Sequence, residues 1–185
     1  MSSSRTLGSR VRLSVVIAAT ALAAVLTAPS IAQDQGDNPG ATAWRRGMSL
    51  LDKGLVDAAI AQFSLLVQYD PKDAVSYCYR ANALARKKDW HRMLADTDAA
   101  LRLDSKLAWA YVLRGQACAG LKKYKEAENA LGQAIRIDPK FKEAYIQRGY
   151  LYSKMGQPDM ANRDFRVANR LIIEEAGGDP SGQLR

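Results

Sequence analysis

Residues 108–141 read AWAYVLRGQACAGLKKYKEAENALGQAIRIDPKF, and residues 142–175 read KEAYIQRGYLYSKMGQPDMANRDFRVANRLIIEE. Set one above the other, the two stretches match column by column: Tyr111 over Tyr145, Arg114-Gly115 over Arg148-Gly149, Ala127 over Ala161, Ala134 over Ala168. A fixed period of this size marks an array of one repeated supersecondary unit. Working backwards at the same spacing of 34 finds two further copies without an insertion. One column holds Gly47, Ala81, Gly115 and Gly149; a second holds Ala59, Met93, Ala127 and Ala161; a third holds Leu66, Ala100, Ala134 and Ala168. Bulky columns lie beside the small ones: Ala43, Tyr77, Tyr111 and Tyr145; Val56, Trp90, Tyr124 and Pro158; Phe63, Thr97, Leu131 and Phe165. Small beside large is what two closely approaching helices require.

Each copy divides into two helical stretches. The first helices are expected at about 41–53, 74–87, 108–121 and 142–155, and the second at about 56–69, 90–103, 124–137 and 158–174. Apolar residues recur at steps of three and four, as in Ile60, Phe63 and Val67 or Leu131, Ala134 and Ile135. Asp70-Pro71 and Asp138-Pro139 end the second helices, with Asp104-Ser105 at the equivalent place, because proline cannot donate into the helical ladder. Pro158 stands at a helix start, where a missing N–H costs least. No segment alternates with the period of a strand.

This pattern resembles the tetratricopeptide repeat. The third copy carries Tyr111-x-x-Arg114-Gly115 followed by Ala127, Ala134 and Pro139; the fourth carries Tyr145-x-x-Arg148-Gly149-x-x-Tyr152 followed by Ala161, Phe165 and Ala168. The second departs most, with Ala81 for Gly, Met93 for Ala and Ser105 for Pro, and the first has Ala43 in place of the opening aromatic. The resemblance covers residues 41–174. It implies an all-α, right-handed solenoid of four tandem helix-turn-helix repeats, at about 40–73, 74–107, 108–141 and 142–175. It also implies a scaffold for protein partners.

The ends carry other signals. Arg5, Arg10 and Arg12 precede an apolar run, Leu13–Leu26, and Ser30 and Ala32 supply the small residues a signal peptidase needs. Residues 1–32 are therefore expected to be an export signal cut between Ala32 and Gln33, of bacterial style, delivering the protein to the periplasm or the exterior. A retained anchor is the alternative, although the run is short for a bilayer span. Residues 33–40 read as a polar linker and 176–185 as a disordered tail. The apolar Leu171, Ile172 and Ile173 before that tail are either covered by it or left as a contact surface, through which the fourth hairpin could self-associate weakly.

The chain carries a formal charge of +8, with 48% hydrophobic and 25% charged residues. Loss of the leader leaves 24 basic and 19 acidic side chains, net +5. That charge keeps a small domain soluble but falls short of a nucleic-acid-binding signature.

In the family, one side of each first helix lines the concave surface. Carried through the copies, that face gives a groove of Trp44, Cys78, Val112 and Ile146, of Met48, Asn82, Gln116 and Tyr150, and of Ala41, Val75, Trp109 and Glu143, bordered by Arg45, Tyr79, Leu113 and Gln147. Some members hold a C-terminal carboxylate there with lysine, arginine and asparagine; here only Asn82 fits, so such a clamp is not expected. An apolar peptide segment fits better, with Trp44, Tyr79, Trp109 and Tyr150 as anchors. The competing reading is that these residues pack between hairpins.

The column Arg46, Arg80, Arg114 and Arg148 is read as structural, paired with acids such as Asp96 and Asp164, in preference to an anion site. Arg86-Lys87-Lys88 and Lys122-Lys123 with Lys125 form a basic rim of loops, open to a lipid or polyanion reading but equally a solvated edge. Cys118 falls on a core column and Cys78 on the groove side, so a disulfide is not expected. The single histidine, His91, has no nucleophile or metal-ligand partner at a useful spacing. No enzyme, metal site or cofactor is expected.

Overall fold

The computed structural model describes residues 38–177. The expected export signal and most of the linker lie outside the described residues, as does the tail from 178 onward. Eight helices follow one another: α1 (Pro39–Asp52), α2 (Val56–Tyr69), α3 (Ala74–Lys87), α4 (Trp90–Leu103), α5 (Ala108–Gly120), α6 (Tyr124–Ile137), α7 (Lys142–Lys154) and α8 (Pro158–Glu175). Among the described residues there is no strand, and no helix is long and apolar enough to cross a membrane. The four hairpins therefore stand where the 34-residue register puts them.

One boundary differs from the sequence reading. The first helix begins at Pro39, inside the stretch read as linker. Asn38 caps it, its Oδ1 accepting the Gly40 N–H at 2.8 Å, and Pro39 takes the first helical position. A side-chain acceptor and a residue lacking an N–H together deal with two of the four unpaired donors of a helix start.

Inside each hairpin the two helices meet at the small column. A Cβ built on Gly47 would lie 2.5 Å from Phe63, one on Gly115 2.6 Å from Leu131, and one on Gly149 2.6 Å from Phe165. The second hairpin solves the same contact with Ala81 against Thr97, both fully buried; the threonine hydroxyl donates to the Leu94 carbonyl at 2.9 Å. The core is thus a row of large side chains seated on bare backbone in three hairpins, with a smaller pair, Thr97 and Ala81, in the second.

Turns follow the same register. Gly54, Lys88, Lys122 and Gly156 close the four intra-hairpin turns with φ between 60° and 73°. Between hairpins, Asp70, Asp104 and Asp138 each accept the backbone N–H two residues on, from Lys72, Lys106 and Lys140 at 2.8–3.0 Å. This explains why Ser105 can stand where the other copies have proline: the aspartate makes the turn, and proline only reinforces it.

Each hairpin packs on the next, and in addition α3, α5 and α7 touch in turn. A stack whose first helices approach more closely than its second helices curves toward the first-helix side. That layer therefore forms the concave face.

Gly115→Ala should lower stability by about 1–3 kcal/mol, since the added methyl must displace Leu131 in a filled core. Gly132→Ala should raise it by about 0.5–1 kcal/mol, because Gly132 lies within α6 with nothing within 4 Å of its would-be Cβ. Chemical denaturation of the two variants beside the parent chain tests both signs.

Candidate functional site

The concave face carries aromatic side chains joined edge to face. Trp44 meets Tyr79 with ring centroids 6.0 Å apart, and Tyr79 meets Trp109 at 5.2 Å. Tyr79 also stacks on Phe63 at 5.7 Å, which ties the row to the core of the first hairpin. One aromatic from each of α1, α3 and α5 thus forms a continuous strip across three hairpins. Trp44 is 38% exposed, whereas Tyr79 and Trp109 are half-buried.

Not every residue expected in the groove lies there. Cys78 is fully buried and Val112 is 3% exposed, so both belong to the core. The reason is geometric. A first helix within a stack is covered by its own partner helix and by both neighbouring hairpins, and less of its surface stays open than a single helix pattern indicates. Met48, Val75, Asn82, Gln116 and Ile146 are half-buried, with Met48 packed against the core. Tyr150 is 56% exposed but stands apart from the strip, its ring 5.3 Å from Phe165. It borders a separate recess of about 260 Å³ with Gln116, Trp90, Gly120 and Lys154.

At the strip's N-terminal end lies an open pocket of about 350 Å³. Trp44 and Tyr79 form part of its wall, joined by Tyr69 from the end of α2, by Asp70 and Asp73, and by Ser76 from α3. These last four residues were outside the groove expected from the first-helix columns. They come from the second helix, the connecting loop and the first turn of α3, and none of them falls on the first-helix columns that defined that groove.

The arginine column is used in two ways. Arg80 reaches Asp96 through two bonds, Nε–H at 2.8 Å and an Nη2 hydrogen at 2.7 Å; Arg148 holds Asp164 the same way at 2.7 and 2.8 Å. These hydrogen bonds raise both guanidinium pKa values against the opposing effect of burial. Arg114 cannot repeat the pattern, because Ala130 occupies the place of the acid. It turns instead to Asp98 on the preceding hairpin, 2.9 Å away. In the first copy the matching position is Gln62. Arg80, Arg114 and Arg148 thus engage structural acids, as the sequence reading favoured for the column.

Both cysteines are free and buried. Burial, reinforced by the charges of Asp73, Asp96 and Asp104, pushes the Cys78 thiol up to about 12; burial raises Cys118 as well. Both shifts disfavour the thiolate, the form that acts as a nucleophile. His91 is exposed, and among the described residues no cluster of His, Cys, Asp and Glu could hold a metal ion. At the far end of the array Ile172 is 43% exposed, with Leu171 and Ile173 in the same last turns of α8.

Two family models match the chain: anaphase-promoting complex, cyclosome, subunit 3, over residues 52–134, and the TPR repeat over residues 115–156. No curated protein matches. Among solved structures, the chain is similar to a thermophilic TPR protein of Thermus thermophilus, at 20% identity and TM-score 0.68, covering 71% of this chain and 74% of that one. It is also similar to MamA from Desulfovibrio magneticus, at 18% identity and TM-score 0.63, covering 91% and 98%. The first TPR of Spaghetti (RPAP3), solved bound to the HSP90 peptide SRMEEVD, aligns at 24% identity and TM-score 0.59, covering 64% and 94%. At these identities the likeness is one of fold.

Double-mutant cycles to alanine should give a coupling of about 2 kcal/mol for Arg148 with Asp164, whose acid side chain is only 7% exposed. Arg114 with Asp98, at 34% and 40% exposure, should give less than about 1 kcal/mol. Equal couplings would contradict this division between buried and screened pairs.

Proposed function

This chain belongs to the tetratricopeptide-repeat family, and we propose that it is a non-catalytic scaffold holding a peptide or protein segment along its concave face. The observation that carries the reading is the Trp44–Tyr79–Trp109 strip with an open pocket at its end. Aromatic side chains supply large contact area at low entropic cost, and partly exposed tryptophan and tyrosine are the residues most enriched at binding hot spots. Peptide recognition by a related fold supports the same reading: the RPAP3 domain was solved with an HSP90 peptide. The groove residues offered for contact are Trp44, Met48, Val75, Tyr79, Asn82, Trp109, Gln116, Ile146 and Tyr150.

The place of action is proposed as the bacterial periplasm or the exterior. Arg5, Arg10 and Arg12 before the apolar run Leu13–Leu26, with Ser30 and Ala32 before the cut, support it.

A second reading has one observation in its favour. Lys88 and Lys122 hold left-handed turn positions that glycine fills in the outer copies, so two exposed cations occupy backbone sites better suited to another residue. With Arg86, Lys87, Lys123 and Lys125 they make a basic edge that could rest on an anionic surface.

Crosslinked capture from the periplasm by the parent chain, compared with Trp44→Ala and Trp109→Ala, separates the readings. The groove predicts that both substitutions abolish capture at unchanged helical content, and that capture survives about 0.5 M salt, where exposed charges are screened. Capture indifferent to the tryptophans but lost in salt assigns binding to the basic edge instead.

A further inference from the structure

The four copies serve as internal controls for one another: at each column, three residues show what the array itself needs and the fourth shows any departure. Around the pocket at the N-terminal end of the strip the departures coincide. Where the pocket has Tyr69, the following copies have Leu103 and Ile137; where it has Asp73, they have Leu107 and Phe141; where it has Ser76, they have Ala110 and Ala144. Trp44 stands in the column of Cys78, Val112 and Ile146, and Tyr79 in that of Leu113 and Gln147. At three of these columns, those of Tyr69, Ser76 and Trp44, small or aliphatic residues fill the other copies and satisfy the fold. Tyr69, Ser76 and Trp44 depart together around this pocket, while the Asp73 column is mixed, with Leu107, Phe141 and Glu175.

Asp70 is the turn aspartate shared with Asp104 and Asp138, whereas Asp73 is particular to this copy, and both keep acceptor capacity. Asp73 caps α3, accepting the Val75 N–H at 3.0 Å and the Ser76 N–H at 3.0 Å together with the Ser76 hydroxyl, three of about four acceptor sites. Yet α5 and α7 begin at Leu107 and Phe141 with no side-chain cap, so the array does not demand a charge at that place. Asp70 accepts a single bond, from the Lys72 N–H. No lysine or arginine lines the pocket among the described residues. The result is a cavity lined by Asp70 and Asp73 together with Trp44, Tyr69 and Tyr79.

We propose that this pocket receives a lysine or arginine side chain of the partner segment. The cation would meet the paired carboxylates, and its aliphatic stem and charge would lie against the aromatic faces, where cation–π attraction adds to the Coulombic term. An acidic segment of the SRMEEVD kind would be repelled. The proposal rests on the groove reading and gives it a sign and a register: the basic residue sits at the α1 end, and apolar residues run from it along the strip toward Trp109.

Titration of the full chain with N-acetyl-arginine methylamide tests it, read by the indole N–H resonances of Trp44, Trp90 and Trp109. The neutral citrulline counterpart and the glutamate counterpart are run beside it. Arginine should shift Trp44 saturably, at least about tenfold more tightly than citrulline, and glutamate should not shift it. Asp70→Asn with Asp73→Asn keeps one Oδ1 acceptor at each turn while removing the charge, and should abolish the preference at unchanged helicity; Tyr69→Leu, the residue of the next copy, should weaken arginine binding with unchanged helicity. Citrulline equal to arginine, no saturable Trp44 shift, or an arginine preference intact in the double Asn variant would overturn the proposal. If Trp109→Ala abolishes partner capture while arginine and citrulline are indistinguishable, the groove stands and the cation pocket falls. The reverse pattern keeps the pocket and removes the groove.

Discussion

Two helices can lie flat against each other only where one of them gives up its side chain. In this array that contact is made four times, by Phe63 on Gly47, Thr97 on Ala81, Leu131 on Gly115 and Phe165 on Gly149. Interiors are packed at crystal density, so a bulky group is admitted only against an absent one. The hairpin angle, the position of each turn and the spacing of the stack all follow from keeping this pairing in register. An insertion within a copy would break it, which is why the period holds at 34 throughout.

The concave face is a by-product of the same packing. Because α3, α5 and α7 touch in turn, their exposed edges fall into one line, and residues about 30 to 35 positions apart become neighbours in space. Trp44, Tyr79 and Trp109 meet across three units although no helix contributes more than one of them. A peptide laid along that line would touch rigid rings on a rigid frame, with little ordering left to do on the protein's side.

The periodicity made the fold legible, because each structural demand was written four times. Helix ends came within a residue or two wherever a repeated turn marked them. The start of α1 is the widest miss, two residues early at Pro39, since Asn38 and Pro39 cap a terminal copy and have no counterpart to compare. The groove was legible only in part. Helical spacing separates two faces of an isolated helix, but a helix inside a stack is covered from three sides, and Cys78 and Val112 fell to the covered share. Tyr69 and Asp73 were overlooked for the opposite reason: they lie on the second helix and its loop, and their signal was a departure from the column rather than agreement with it. Arg114 taught the same lesson, its acid sitting 16 residues before it where Arg80 and Arg148 find theirs 16 residues after.

That reversal has a thermodynamic consequence. A linear array behaves as a chain of units, each with an intrinsic stability, joined by coupling energies between neighbours. Arg80–Asp96 and Arg148–Asp164 lie within a hairpin and add to the first quantity; Arg114–Asp98 spans α4 and α5 and adds to the second. The seam between the second and third hairpins is also where Trp90 covers Gly120. Asp57–Lys87 and Glu128–Tyr152 cross the outer seams in the same way, so every junction carries a side-chain tie of its own and the array is coupled along its whole length.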